Sequence, residues 1–299
     1  MPEQEIDVDA VSLPTDMEEP RKNSVSVPTL SIVKARERAK AIQNNPVIME
    51  TQGLTKKYGT VVAANNINIK VKEGSFTGIV GPNGAGKTTT LSMMSGLNRP
   101  SSGRVLVGEV SVWSDGPTAK RIIGSLPDRL RLFGRLTGAQ LLYYAGVLQG
   151  VKQNEIRQRS KDLGEAFALE SALNRRVEEY SAGMQKKIAL ACAMIHSPKV
   201  LILDEPYETI DPVSASNVTQ MLEQYVAGGG SVILSSHSLE LIERVCDHVA
   251  VIVEGDVVAQ GTVDEVRAGI PLVERFKSLT RESETGKGIS WLHGSVDSE

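Results

Sequence analysis

An apolar run that ends in a glycine-rich loop and reopens as a helix constrains this chain more than any other feature. Phe76–Val80 reads as a strand buried on both faces, and Gly81-Pro82-Asn83-Gly84-Ala85-Gly86-Lys87-Thr88-Thr89 follows it. Lys87–Ser95 then reads as the helix. The spacing is G-x-x-x-x-G-K-[ST], the pattern of a phosphate cradle. Glycines let successive backbone N–H groups turn inward, and the helix start adds partial positive charge. Lys87 would reach β- and γ-phosphates as a mobile charge, and the Thr88 hydroxyl would ligate Mg²⁺.

The rest of the chain supplies more alternating elements. Strands are expected at Val47–Gln52, Ile67–Val71, Ile122–Leu126, Val200–Leu203 and Val232–Leu234. Helices are expected at Thr137–Leu148, Asn154–Phe167 and Gln185–Ile195. Val249–Val253 and Val257–Gln260 flank Glu254-Gly255-Asp256, which suggests a hairpin. Strands alternating with helices point to an α/β fold with a largely parallel sheet.

Such a sheet delivers what lies at the carboxyl ends of its strands to one edge. Val200–Leu203 ends in Asp204 and Glu205, candidates for holding Mg²⁺ and for activating a water as general base. Val232–Leu234 leads into Ser235-Ser236-His237, which puts His237 at the same edge, in reach of a γ-phosphate. His196, His248 and His293 have no comparable context.

Composition narrows the class. The chain has 299 residues, 40% of them apolar and 23% charged, with a net charge of −3, as in ordinary globular proteins. That charge and an aromatic content of 4% give no support for nucleic-acid binding. No apolar stretch reaches the roughly 18 residues of a membrane span, and the start, MPEQEIDVDA, is not a secretory signal. Cys192 and Cys246 are too few for a disulfide scaffold. Residues 1–45 differ from the remainder: acidic and proline-punctuated at first, they read as mostly disordered. Leu30–Gln43, with Lys34, Arg36, Arg38 and Lys40, has the makings of a short basic helix, although a solvated linker is the simpler expectation.

Tyr180-Ser181-Ala182-Gly183-Met184 opens the helical run before the acidic strand. It resembles the signature of ATP-binding cassette (ABC) ATPases, usually leucine-serine-glycine-glycine-glutamine. Gly81–Thr89, Tyr180–Met184, Val200–Pro206, Glu208–Asp211 and His237 occur in that family's order. The resemblance covers about residues 47–270. It implies a P-loop NTPase with a RecA-like core, an antiparallel β-subdomain and a helical subdomain over about 128–184, within an ATP-binding domain over 46–270. Residues 271–299 would be a C-terminal extension, carrying Leu272–Leu279 and Ile289–Leu292. Two cassettes would pair head to tail, so that Ser181 and Gly183 of one contact the γ-phosphate held by the other. Tyr58 occupies the adenine-stacking position, and Asp211 the conserved loop position of the family.

The chain departs from the family in several places. Asp128 stands for a glutamine, shorter and charged but still able to accept from a Mg²⁺-bound water. Ala182 and Thr209 stand for glycines, and Met184 for the signature glutamine. Asp128, Tyr180, Met184 and the tail are similar to the exporter-like (ABC-2) branch. The resemblance implies an ATP-hydrolysing subunit, with Lys87, Glu205 and His237 catalytic, at the cytoplasmic face of the membrane. Its partners would be a second cassette and a multi-spanning permease, docking near Leu130, Leu132, Phe133 and Leu136, residues that ordinary packing of the helical subdomain would explain equally well. Two alternatives stay open: a low-turnover regulatory cassette in a heterodimer, and a soluble ABC ATPase without a transport role.

Overall fold

The computed structural model describes residues 28–129 and 131–281. The acidic first stretch, Leu130 and the expected segment at Ile289–Leu292 lie outside them. The elements begin with α1 (Pro28–Ala41), β1 (Val47–Tyr58), β2 (Val61–Ile67), β3 (Lys70–Lys72), β4 (Phe76–Val80) and α2 (Lys87–Met94). Next come β5 (Ser102–Val107), β6 (Val110–Ser111), α3 (Gly116–Ile122), β7 (Ile123–Leu126), α4 (Gly138–Leu148), α5 (Gln153–Ala166) and α6 (Ala182–Met194). The last are β8 (Val200–Leu203), α7 (Pro212–Ala227), β9 (Ser231–Ser235), α8 (Leu239–Val245), β10 (His248–Val253), β11 (Asp256–Thr262), α9 (Val263–Arg267) and α10 (Leu272–Arg281).

A six-stranded sheet runs in the order β11-β10-β4-β9-β8-β7. All its pairings are parallel except β10 with β11. Its apolar strands are continuous because both faces are covered. Alternate residues divide between two cores: Leu201, Leu203, Val232 and Leu234 face one, and Val200, Ile202 and Ile233 the other. The first core lies under α6, α7 and α8, and the second under α2 and the antiparallel sheet β2-β1-β5-β6.

Register aligns the carboxyl ends. Leu203 pairs with Leu234, and Ile79 with Ser235, so β4, β8 and β9 end together. Caps then turn the chain into helices: Thr137 and Gln140 form a capping box on α4, and Ser181, Asp211 and Ser238 cap α6, α7 and α8.

Two expectations are corrected. Ile67–Val71 is not one strand: β2 ends at Ile67 and β3 begins at Lys70. Asn66 takes φ +48°, and the Asn68 side chain donates to Asn66 O at 2.6 Å and accepts from Gly53 N–H at 2.8 Å, which turns the chain. Nor is the basic stretch after residue 28 a solvated linker. α1 docks beside α8, burying Ala35, while Ile42 just beyond it is buried as well. Arg38 explains the docking. Its Nε lies 2.6 Å from Asp247 Oδ2, its Nη2 donates to Val245 O at 2.6 Å, and its guanidinium sits 5.3 Å over the Phe76 ring. α10 also packs against α8 and anchors through Leu272, which is fully buried.

Candidate nucleotide and acidic site

The glycine loop leaves β4 where space runs out. A Cβ on Gly81 would stand 2.2 Å from Ile252 O, and one on Gly86 would stand 2.2 Å from Ala63 O. Gly86 also takes φ +102° as the residue that starts α2, where no side chain caps the free N–H groups. Lys87 folds back into the loop, donating to Gly81 O at 2.8 Å and Pro82 O at 3.1 Å. Burial pushes its ammonium below the ordinary 10.5, while Glu205 and Asp204 pull the other way. A phosphate entering the loop offers Lys87 a stronger acceptor than two carbonyls.

A cavity of about 490 Å³ opens against this loop. Asn83–Thr89 line it, together with Ala63, Asp128, Arg129, Glu205, Glu208 and His237. Asp204 is buried just below, its N–H donating to Leu126 O at 2.8 Å and its Oδ1 accepting from the Ser235 hydroxyl at 2.5 Å. Glu205 takes a left-handed backbone, φ +48°, and its N–H donates to Ser235 Oγ at 2.9 Å. Its Oε2 accepts from His237 N–H at 3.3 Å. His237 Nε2 lies 3.1 Å from Oε1 but out of hydrogen-bond alignment, so this buried oxygen lacks a hydrogen-bond partner. Burial raises the Glu205 carboxyl above the ordinary 4.5, against the opposing pull of His237 and Lys87. A carboxylate held so is short of donors and opens onto the cavity beside the glycine loop.

The sequence-predicted residues separate into two groups. The structure brings together the glycine loop, Lys87, Thr88, Thr89, Asp128, Asp204, Glu205 and His237. Tyr58, Ser181, Gly183 and Asp211 do not line the cavity. Tyr58 is half exposed at the end of β1, with Lys56 Nζ 5.1 Å over its ring and its hydroxyl bonded to Asn98. Ser181 caps α6 by accepting from Met184 N–H at 3.3 Å. A Cβ on Gly183 would meet Thr209 O at 3.1 Å, so the loop after Glu205 packs on the start of α6. Asp211 accepts from Val213 and Ser214 N–H groups, and its bonds to Ser214 hold its carboxyl below the ordinary range. Ser235, Arg129 and Glu208 join the site without having been expected from the sequence. Ser235 carried a signal as a polar residue ending an apolar strand, and Glu208 as the start of the Glu208–Asp211 motif, whereas Arg129 carried none.

The donors available to Mg²⁺ are the Thr88 hydroxyl, the Asp204 carboxylate and Asp128. Among the described residues no three acidic, histidine or cysteine side chains gather into a metal site of their own. The hydroxyl of Thr88 and the carboxylates of Asp128 and Asp204 are hard oxygens of the kind Mg²⁺ takes, with waters and phosphate oxygens as its usual remaining ligands.

The strand–loop–helix and the acidic edge define a P-loop nucleotide-binding ATPase cassette. A protein-family model described as ABC transporter matches residues 64–208. The chain is 34% identical over 215 residues to the linearmycin resistance ATP-binding protein LnrL of Bacillus subtilis, across 72% of this chain and 69% of that one. It is 35% identical over 224 residues to the probable multidrug ABC transporter ATP-binding protein YbhF of Escherichia coli, across 74% of this chain but only 38% of YbhF. A solved ATP-binding subunit of an ABC transporter superposes with a TM-score of 0.74 at 28% identity, covering 78% of this chain and 99% of that one. The chain belongs to the ABC transporter ATP-binding family, as a nucleotide-binding subunit of its exporter-like branch. Neither alternative, the regulatory cassette or the soluble non-transport ATPase, is favoured by these relatives.

Proposed function

We propose that the chain is a Mg²⁺-dependent ATPase whose cycle drives export through a separate multi-spanning permease. The observation that carries this reading is the convergence of Lys87, Glu205 and His237 on one cavity beside the phosphate loop, with Asp204 buried next to it within electrostatic reach of Lys87. Lys87 and the α2 N–H groups bind the β- and γ-phosphates and offset their charge. Glu205 accepts the proton of the attacking water, and His237 holds Glu205 and meets the γ-phosphate. Thr88 and Asp204, with Asp128 nearby, would hold Mg²⁺, which would supply positive charge against the phosphates.

Ser181 is exposed and lies outside this chain's own cavity, which suits a residue serving the ATP of a second cassette. Tyr58 would stack on adenine once Lys56 moves from its face, and Asp211 would act through the loop it ends. We place the ATP-binding domain at 46–270, with the helical part at 128–184 and an extension on either side, the whole peripheral to the cytoplasmic face of the membrane. Among the described residues no helix is long and apolar enough to cross a membrane. Phe133, 72% exposed in the segment after Asp128, is the proposed contact for the permease. The names of LnrL, a linearmycin resistance protein, and YbhF, a probable multidrug transporter protein, favour a drug-like cargo.

The test is co-purification of the tagged Glu205→Gln variant from detergent-extracted native membranes with ATP and Mg²⁺. A stoichiometric multi-spanning protein, lost in Phe133→Ala, is the expected result. Soluble partners alone would overturn the transport reading.

A further inference from the structure

We infer that Ser235 is a positioning residue for ATP hydrolysis, fixing the metal-side and base-side carboxylates in one geometry. The inference rests on the Mg²⁺-ATPase reading above. Ser235 is the last residue of β9 and is fully buried. Its hydroxyl uses its donor on Asp204 Oδ1 at 2.5 Å and an acceptor lone pair on the Glu205 N–H at 2.9 Å. One oxygen atom thus touches both residues that carry the acidic chemistry.

Each bond has a separate effect. The Asp204 backbone is held from the other side by Leu126 O of β7, which leaves its carboxylate free to rotate unless something fixes it. Ser235 supplies that constraint, orienting one oxygen so that the other is directed by geometry rather than by chance. Glu205 has left the extended conformation, with φ +48°, and its N–H takes the hydroxyl as its partner. The same hydroxyl therefore supports the left-handed turn that aims the Glu205 side chain at His237. The hydroxyl of Ser236, the next residue, is engaged elsewhere and accepts from Ser238 N–H at 3.1 Å ahead of α8.

Ser235→Ala removes both bonds. Ser235→Cys keeps the shape but replaces a strong donor with a weak one. Outer partners of metal ligands are typically worth about 10–100-fold in metal affinity or activity. Both variants should lower kcat and raise the half-saturating Mg²⁺ concentration by about that much, while KM for ATP stays within about twofold. A second readout does not use turnover. Mn²⁺ binding to the ATP-loaded protein, followed by electron paramagnetic resonance in a Glu205→Gln background, should weaken by about the same factor in both Ser235 variants.

Unchanged metal dependence in Ser235→Ala would overturn the inference, even if its melting temperature fell. So would a Ser235→Cys protein that behaves as wild type, because packing rather than the hydroxyl would then be the role. Absence of Mg²⁺-dependent turnover in the wild type would instead count against the ATPase reading, with Mn²⁺ binding still reporting whether Ser235 holds Asp204.

Discussion

A fully buried carboxylate and a partly buried one stand at opposite edges of the same six-stranded sheet, and the chain treats them in opposite ways. At the amino edge, Asp247 has no exposed side-chain surface and is saturated. The Phe76 N–H donates to both its oxygens, at 2.9 and 3.1 Å, Arg38 Nε sits at 2.6 Å and His248 Nδ1 at 3.0 Å. At the carboxyl edge, Glu205 keeps a buried oxygen without a hydrogen bond, and burial raises its carboxyl above the ordinary range. A saturated carboxylate locks strands together and has little left with which to react. An under-supplied one destabilises its own charged form and is ready to take a proton. One sheet thus distributes donors unequally between its two ends.

The largest test removes the reactive member. Glu205→Gln should slow ATP hydrolysis by about 10²-fold or more while ATP binding persists, as equilibrium binding and turnover assays would show. Because the Glu205 carboxyl lies above 4.5, its base form is lost as pH falls through that raised value. The acid limb of the pH–rate profile should therefore sit above pH 4.5 and vanish in the variant. Next is the saturated edge. Arg38→Ala should cost about 2 kcal/mol, less than the roughly 3–5 for a wholly buried pair because Arg38 keeps some water contact. Melting should drop by about 4–8 °C with turnover unchanged well below the transition. A loss of turnover matching that of Glu205→Gln would dissolve the distinction between the edges. The smallest effect concerns Thr209, a β-branched residue at φ +66° in the loop after Glu205. Thr209→Gly should stabilise by about 1 kcal/mol, read by denaturant titration, since relief of strain outweighs the glycine entropy.

What was legible follows from how local each signal is. Val200–Leu203 could be read residue for residue because a strand buried on both faces needs a continuous apolar run. The glycine loop was equally plain, being fixed by backbone space at Gly81 and Gly86. The antiparallel strands were harder. β2 carries Asn65 and Asn66, and β5 begins with Ser102 and Gly103, so neither looks like a strand until β1 pairs with both. α7 was within reach of a local reading, since Asp211-Pro212 is a cap followed by a first-turn proline. Ser235 gave only a weak hint, because a serine ending a strand acquires its role when β9 lies beside β8. Arg38 was opaque for a simpler reason: a basic residue on a polar helix carries no mark of a partner far along the chain.

That distance has a consequence in time. Arg38 and Asp247 are 209 residues apart. At a synthesis rate of about 5–20 residues per second, Arg38 leaves the ribosome roughly 10–40 s before its acid exists. Phe76, which Arg38 also covers, starts a strand whose neighbours β9 and β10 are made just as late. The amino-terminal helix is therefore a clasp made first and fastened last. Its closure reports that the final strands of the sheet have reached their places.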